Sequence, residues 1–127
     1  MELNKLTEAI IGAAIEVHRH LGPGLVESAY RRCLCHELSL LGIPYAAELQ
    51  LPINYKGMRL ESGYRLDLLV AGAVVVEVKA VEKLAPIFEA QTLTYLRLGQ
   101  HQVGLLINFN VALLKNGIKR LVLGYAE

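Results

Sequence analysis

A chain of 127 residues with 54% hydrophobic and 20% charged side chains is long enough for one hydrophobic core and too short for two. Thirteen basic and twelve acidic residues leave a formal charge of +1, which excludes polyanion binding by bulk charge and confines any nucleic-acid contact to a local patch. The longest uncharged stretch, Gln102 to Leu114, contains two asparagines and is shorter than a membrane span.

From about Asn4 to His20 the spacing of Leu6, Ile10, Ala13, Ala14, Val17 and Leu21 predicts an amphipathic helix. Glu2, Lys5 and Glu8 interrupt it, so we expect no signal peptide there and a cytoplasmic protein. Gly22-Pro23-Gly24 breaks the pattern. A second helix is expected from about Leu25 to Leu41, with Gly42 as its stop. Cys33 and Cys35 lie two apart on it, point in different directions, and form no CxxC pair. Together with His18, His20 and His36 they match no metal-ligand spacing. A strand follows near Ala46 to Tyr55, and Pro52, which lacks a ladder donor, puts it at or near an edge. Lys56-Gly57 turns the chain into Met58 to Glu61.

The central hairpin comes next. Gly63 to Val70 and Val74 to Lys79 read as strands around an Ala71-Gly72-Ala73 turn. A three-residue loop sets Asp67 opposite Glu77, and period-2 alternation puts Lys79 on their face. A two-residue loop would set Asp67 opposite Val76 instead. Both strands are apolar enough to be central and covered on both faces. Beyond them, Pro86 opens a helix carrying Ile87, Ala90, Leu93, Thr94 and Leu98 on one face and ending at Gly99. Val103 to Phe109 is an apolar strand, and Asn116-Gly117 reads as a tight turn into a last strand, Ile118 to Leu123. Two helices, three strands, a helix and two or three strands describe one domain, residues 1–127, with a mixed sheet flanked by helices.

Two acids and a lysine inside an apolar hairpin are costly unless paired or bound to a metal. A buried salt bridge is the plain alternative, opposed by the repulsion of two carboxylates with no cation between them. Asp67 and Glu77 are hard oxygen donors suited to Mg²⁺ or Mn²⁺, with the backbone oxygen of Val78 as a further ligand. Lys79 suits positioning of an attacking water or stabilising charge on a phosphorane-like transition state. Gln91 and Tyr95 share a face of the following helix at i and i+4; the bland reading is an exposed amide and a core-edge ring. Glu27, Tyr30 and Arg31 open the second helix, where a dipole-favoured acid and a surface Glu–Arg pair would be ordinary.

Gly24-Leu25-Val26-Glu27-Ser28-Ala29-Tyr30 resembles the signature of the GxxExxY family, which is assigned to the PD-(D/E)XK nuclease superfamily. The resemblance extends from Ile10-Ile11-Gly12-Ala13-Ala14-Ile15-Glu16-Val17-His18 through Ala80-Val81-Glu82-Lys83-Leu84 to Leu105-Leu106-Ile107-Asn108-Phe109. It implies an α/β (α+β) restriction-endonuclease-like αβββαβ core with Asp67, Glu77 and Lys79 as the site. It implies further that Gln91 and Tyr95 are the QxxxY motif of an exonuclease-like branch. Glu27 would be the first-helix acid near the metal, and His18 a metal-associated histidine. An iron–sulfur cluster, which needs four cysteines, is not expected.

The expected function is metal-dependent hydrolysis of DNA phosphodiester bonds. Tyr30, Arg31, Arg32, Arg65, Lys83, Lys115, Lys119 and Arg120 are candidate contacts to the nucleic acid. So small and nearly neutral a domain grips duplex weakly alone, which favours a homodimer. The competing readings are a non-catalytic nucleic-acid-binding or assembly module, and a hydrolase of another phosphate ester.

Overall fold

The computed structural model describes residues 1–124, apart from the side chains of residues 62 and 63. In chain order its elements are α1 (Leu3–Leu21), α2 (Glu27–Leu40), β1 (Tyr45–Tyr55), β2 (Met58–Val70), β3 (Val74–Lys79), α3 (Pro86–Gly99), β4 (Val103–Asn108), a 3₁₀ turn (Leu114–Gly117) and β5 (Ile118–Val122). The five strands run in the order β1-β2-β3-β4-β5. β3 and β4 are parallel, joined by the α3 crossover, while every other neighbouring pair is antiparallel.

The apolar stripe of α1 (Leu6, Ile10, Ala13, Ala14, Val17) and that of α2 (Tyr30, Leu34, Leu38) pack on one face of the sheet. There they meet Leu68, Val70, Val74, Val76, Val78, Leu105 and Ile107. The opposite face is covered by α3, where Leu96 meets Leu51, Leu66 and Val75. β3 and β4 are therefore sandwiched between helical layers, which explains their unbroken apolar runs. Gly104 lets α3 approach β4 closely, since a Cβ there would stand 3.2 Å from Thr92 and 3.3 Å from Leu96.

The hairpin register is the one expected from a three-residue loop. Leu68 pairs with Val76, Leu69 with Val75 and Val70 with Val74. At the turn Ala73 N–H donates to Val70 O at 2.9 Å, and both residues between them have positive φ, 52° at Ala71 and 65° at Gly72. β1 is an edge strand, and its register with β2 shifts between Leu51 and Ile53, where Pro52 supplies no amide.

Two boundaries differ from expectation. Met58 to Glu61 is the beginning of β2, which runs on without a break because β1 pairs with it along its length. Asn116-Gly117 does not form a two-residue hairpin; it closes the 3₁₀ turn that brings β5 against β4. Gly117 is buried, and a Cβ there would collide with the carbonyl oxygen of Asn108. Its small size serves close packing there, not a tight reversal of the chain.

Candidate active site at the central hairpin

Val76 and Val78 enter the core beneath α1 and α2, so by alternation Glu77 and Lys79 emerge on the α3 side of β3. The paired register of β2 and β3 ends at Leu68 and Val76, and side chains take over. Val78 N–H donates to Asp67 Oδ2 at 2.8 Å, and Asp67 N–H donates to Glu77 Oε1 at 3.4 Å. Each acid thus holds a backbone amide of the opposing strand, which fixes the two carboxyl groups beside each other. Glu77 is 5% exposed and Asp67 half-buried. Burial first, and Asp67's negative charge second, push the Glu77 carboxyl up from its ordinary 4.5 to about 9, against the opposing pull of Lys79. Without a cation the pair retains a proton at neutral pH.

Lys79 does not form a salt bridge with either acid: among the described residues no ion pair joins them. Its ammonium instead stands 4.7 Å from the ring centre of Phe88, in the first turn of α3, a cation–π arrangement that keeps the charge on the hairpin's α3 side. The buried salt bridge weighed from the sequence is therefore replaced by a carboxyl pair with a cation alongside.

Tyr95 faces this pair from α3. Its hydroxyl pKa is raised by burial, then by the charges of Glu77, Tyr64 and Asp67. Its ring lies 6.2 Å from that of Tyr64, tilted by 51°. Tyr95, Tyr64, Gln91, Thr94, Ile53 and Leu98 line a cleft of about 220 Å³, so Gln91 and Tyr95 share one wall, as their i, i+4 spacing predicted.

The remaining expected residues lie elsewhere. Among the described residues no three His, Cys, Asp or Glu side chains are close enough to hold one ion, so Glu27, at the start of α2, and His18 do not join Asp67 and Glu77. His18 Nε2 lies 2.7 Å from the carbonyl oxygen of Val111. A carbonyl only accepts, so that nitrogen carries the proton and is committed there. Tyr30 is fully buried and is not a surface contact. Its hydroxyl donates to Gly22 O at 2.6 Å and accepts from Leu25 N–H at 3.1 Å, and its ring stacks on Phe109 at 4.6 Å. It latches the α1–α2 turn. Lys119 bonds to Glu89 at 3.2 Å and Arg120 to Asn4 at 2.8 Å, while Lys83 and Lys115 are exposed.

Asn108 was missed. It is 2% exposed; its side chain accepts from Val81 N–H at 3.0 Å and donates to Val81 O at 2.9 Å. With Phe109 N–H donating to Lys79 O at 2.9 Å, it pins the segment that leaves Lys79. Asn110 Oδ1 accepts from Gly24 N–H at 3.1 Å, joining the same corner to the α1–α2 turn. The available signal was a pair of amides at the end of an otherwise apolar strand.

A nuclease-superfamily model, PD-(D/E)XK, matches residues 4–121. The chain belongs to the PD-(D/E)XK nuclease superfamily. Its mixed sheet between helical layers is the α+β fold of PD-(D/E)XK nucleases. No curated protein and no solved structure matches the chain. Among the described residues no helix is long and apolar enough to cross a membrane.

Proposed function

We propose that the chain is a Mg²⁺- or Mn²⁺-dependent deoxyribonuclease of the GxxExxY branch, acting in the cytoplasm. The observation that carries this reading is the Asp67–Glu77 carboxyl pair, held by backbone amides and, among the described residues, without an ion-pair partner, with Lys79 beside it. Two adjacent carboxylates are the hard oxygen donors a small divalent cation takes, and like charges so placed call for a cation. Asp67 and Glu77 would hold the ion with the Val78 carbonyl; Glu27 and His18 stand outside that set. Bound there, the metal supplies Lewis acidity toward a phosphate oxygen and a more acidic water.

Lys79 orients the attacking water and stabilises the growing negative charge on the phosphoryl oxygens. Phe88 holds the ammonium in place for that work. Gln91 and Tyr95 present an amide and a hydroxyl to the strand from the cleft wall. Arg31, Arg65, Lys83, Lys119 and Arg120 are the candidate cations of the binding surface, and a homodimer doubles what one nearly neutral domain offers.

The test is cleavage of labelled linear, single-stranded and branched DNAs with Mg²⁺ or Mn²⁺, wild type beside Lys79→Ala. We expect metal-dependent cutting that falls by at least about a hundredfold in the variant, the scale of losing one electrostatic stabiliser of the transition state. Equal cutting by both proteins would remove Lys79 from the mechanism. Absence of cutting and of metal binding would favour a non-catalytic nucleic-acid-binding module.

A further inference from the structure

Glu48 lies in β1 between Ala47, which pairs with Leu68, and Leu49, which pairs with Leu66, and so runs abreast of Asp67 on the neighbouring strand. Its φ is 53°, a left-handed value that a residue with a Cβ keeps only where its surroundings impose it. A local irregularity of this kind re-aims a side chain. Here the carboxylate meets two guanidinium groups: Arg31 of α2 and Arg65 of β2 each approach the same oxygen, Oε1, at 3.5 Å.

Three features set this cluster apart from an ordinary structural ion pair. One negative charge faces two positive ones, leaving the cluster net cationic. Both separations exceed the ~2.8 Å of a formed charge-assisted hydrogen bond, so Glu48 fills neither guanidinium fork. The Glu48 and Arg65 side chains are 49% and 58% exposed, while Arg31 is 20% exposed. Beside it opens a groove of about 440 Å³ whose lining includes Arg31, Arg32, His36 and Glu48.

We propose that Arg31 and Arg65 form a clamp for one backbone phosphate of the bound nucleic acid, and that Glu48 is its internal stand-in, displaced when the strand arrives. A phosphodiester can offer a separate non-bridging oxygen to each planar fork, where Glu48 presents the single oxygen Oε1 to both. The inference rests on the nuclease reading and adds the path of the strand. Arg65 is two residues from Asp67 and Glu48 runs abreast of it, so the clamp lies on the β1 side of Asp67.

The test is fluorescence anisotropy with labelled single-stranded and duplex oligonucleotides in EDTA, where cleavage does not intervene. Melting curves establish that each variant is folded; Arg65→Ala, at an exposed position, serves if Arg31→Ala is not. Each arginine variant should bind about tenfold more weakly, with the salt slope reduced by about 1. Glu48→Gln should bind about fivefold more tightly, the scale of one surface charge contact. Unchanged or weaker binding by Glu48→Gln, an unchanged salt slope in Arg65→Ala, or no binding by the wild type would overturn the clamp. A failed clamp alongside Lys79-dependent cleavage would leave the nuclease reading standing. The expected binding pattern without cleavage would support the clamp and remove the nuclease.

Discussion

The fold buries Glu77 and sets Asp67 beside it, and burial first, with the charge of Asp67 second, keeps the proton on Glu77. Because the folded carboxyl titrates near 9 and the unfolded one near 4.5, the native state holds a proton that the unfolded state releases between these values. The unfolded state binds fewer protons there, so stability falls as pH rises through that window and is highest below it. Glu77→Gln carries no such proton and keeps an acceptor for the Asp67 amide. In EDTA the variant should therefore gain stability over the wild type on going from pH 5 to pH 8.5, read by urea unfolding at each pH. Parallel curves for the two proteins would show that Glu77 titrates normally. Tyr30, by contrast, uses its chemistry inside the core. Removing its hydroxyl in Tyr30→Phe leaves Gly22 O and Leu25 N–H without that partner, and we expect a loss of about 1–3 kcal/mol. A melt within about 0.5 kcal/mol of wild type would mean that water replaces the latch fully.

At the scale of elements, the site is where ladder pairing stops. β2 and β3 pair through Leu68 and Val76, and the acids then take over the amides of the next residues. The two strands can separate there because the parallel partner β4 holds β3 from its other side, down to Lys79 opposite Asn108. α3 closes the arrangement: it brings Phe88 under Lys79 and Tyr95 toward the carboxyl pair. The alternation of β3 and the i, i+4 spacing on α3 made these faces legible in the sequence. Asn108 stood out only as an amide ending an apolar strand; its role was not legible, since it depends on Val81 returning beside it, and 27 residues separate them. Nor was Glu48, whose importance lies in a φ value and in two arginines contributed by other elements.

Across the whole molecule, the proposed metal site would couple ion binding, the Glu77 proton and folding. A divalent ion binding Asp67 and Glu77 has to displace the Glu77 proton, so its apparent affinity should rise with pH up to about 9. An ion that binds only the native state stabilises it by about 2.7 kcal/mol at a hundredfold excess over Kd. The thermal shift produced by a fixed Mn²⁺ concentration should therefore be larger at pH 8 than at pH 6, and should vanish in Asp67→Ala. The same shift at both pH values would mean that the ion binds away from Glu77. Near-neutral overall charge makes local placement of cations matter: Lys119 and Arg120 are engaged in contacts with α3 and α1, and Arg31 and Arg65 converge on Glu48, abreast of Asp67 on the neighbouring strand.

The sequence by itself determined the helices and the main strands, because each depends on periodicities of 3.6 or 2 and on turn residues a few positions apart. It set Asp67 opposite Glu77 only for a three-residue loop, and the turn closed between Val70 and Val74 chose that register over the two-residue one. Only the tertiary structure decided that Lys79 rests on Phe88 instead of bridging the acids. It alone decided that Tyr30 is a core latch, that His18 holds Val111, and that Glu48 sits between two arginines. Those outcomes depend on contacts between residues far apart in the chain, whose distances no local pattern encodes.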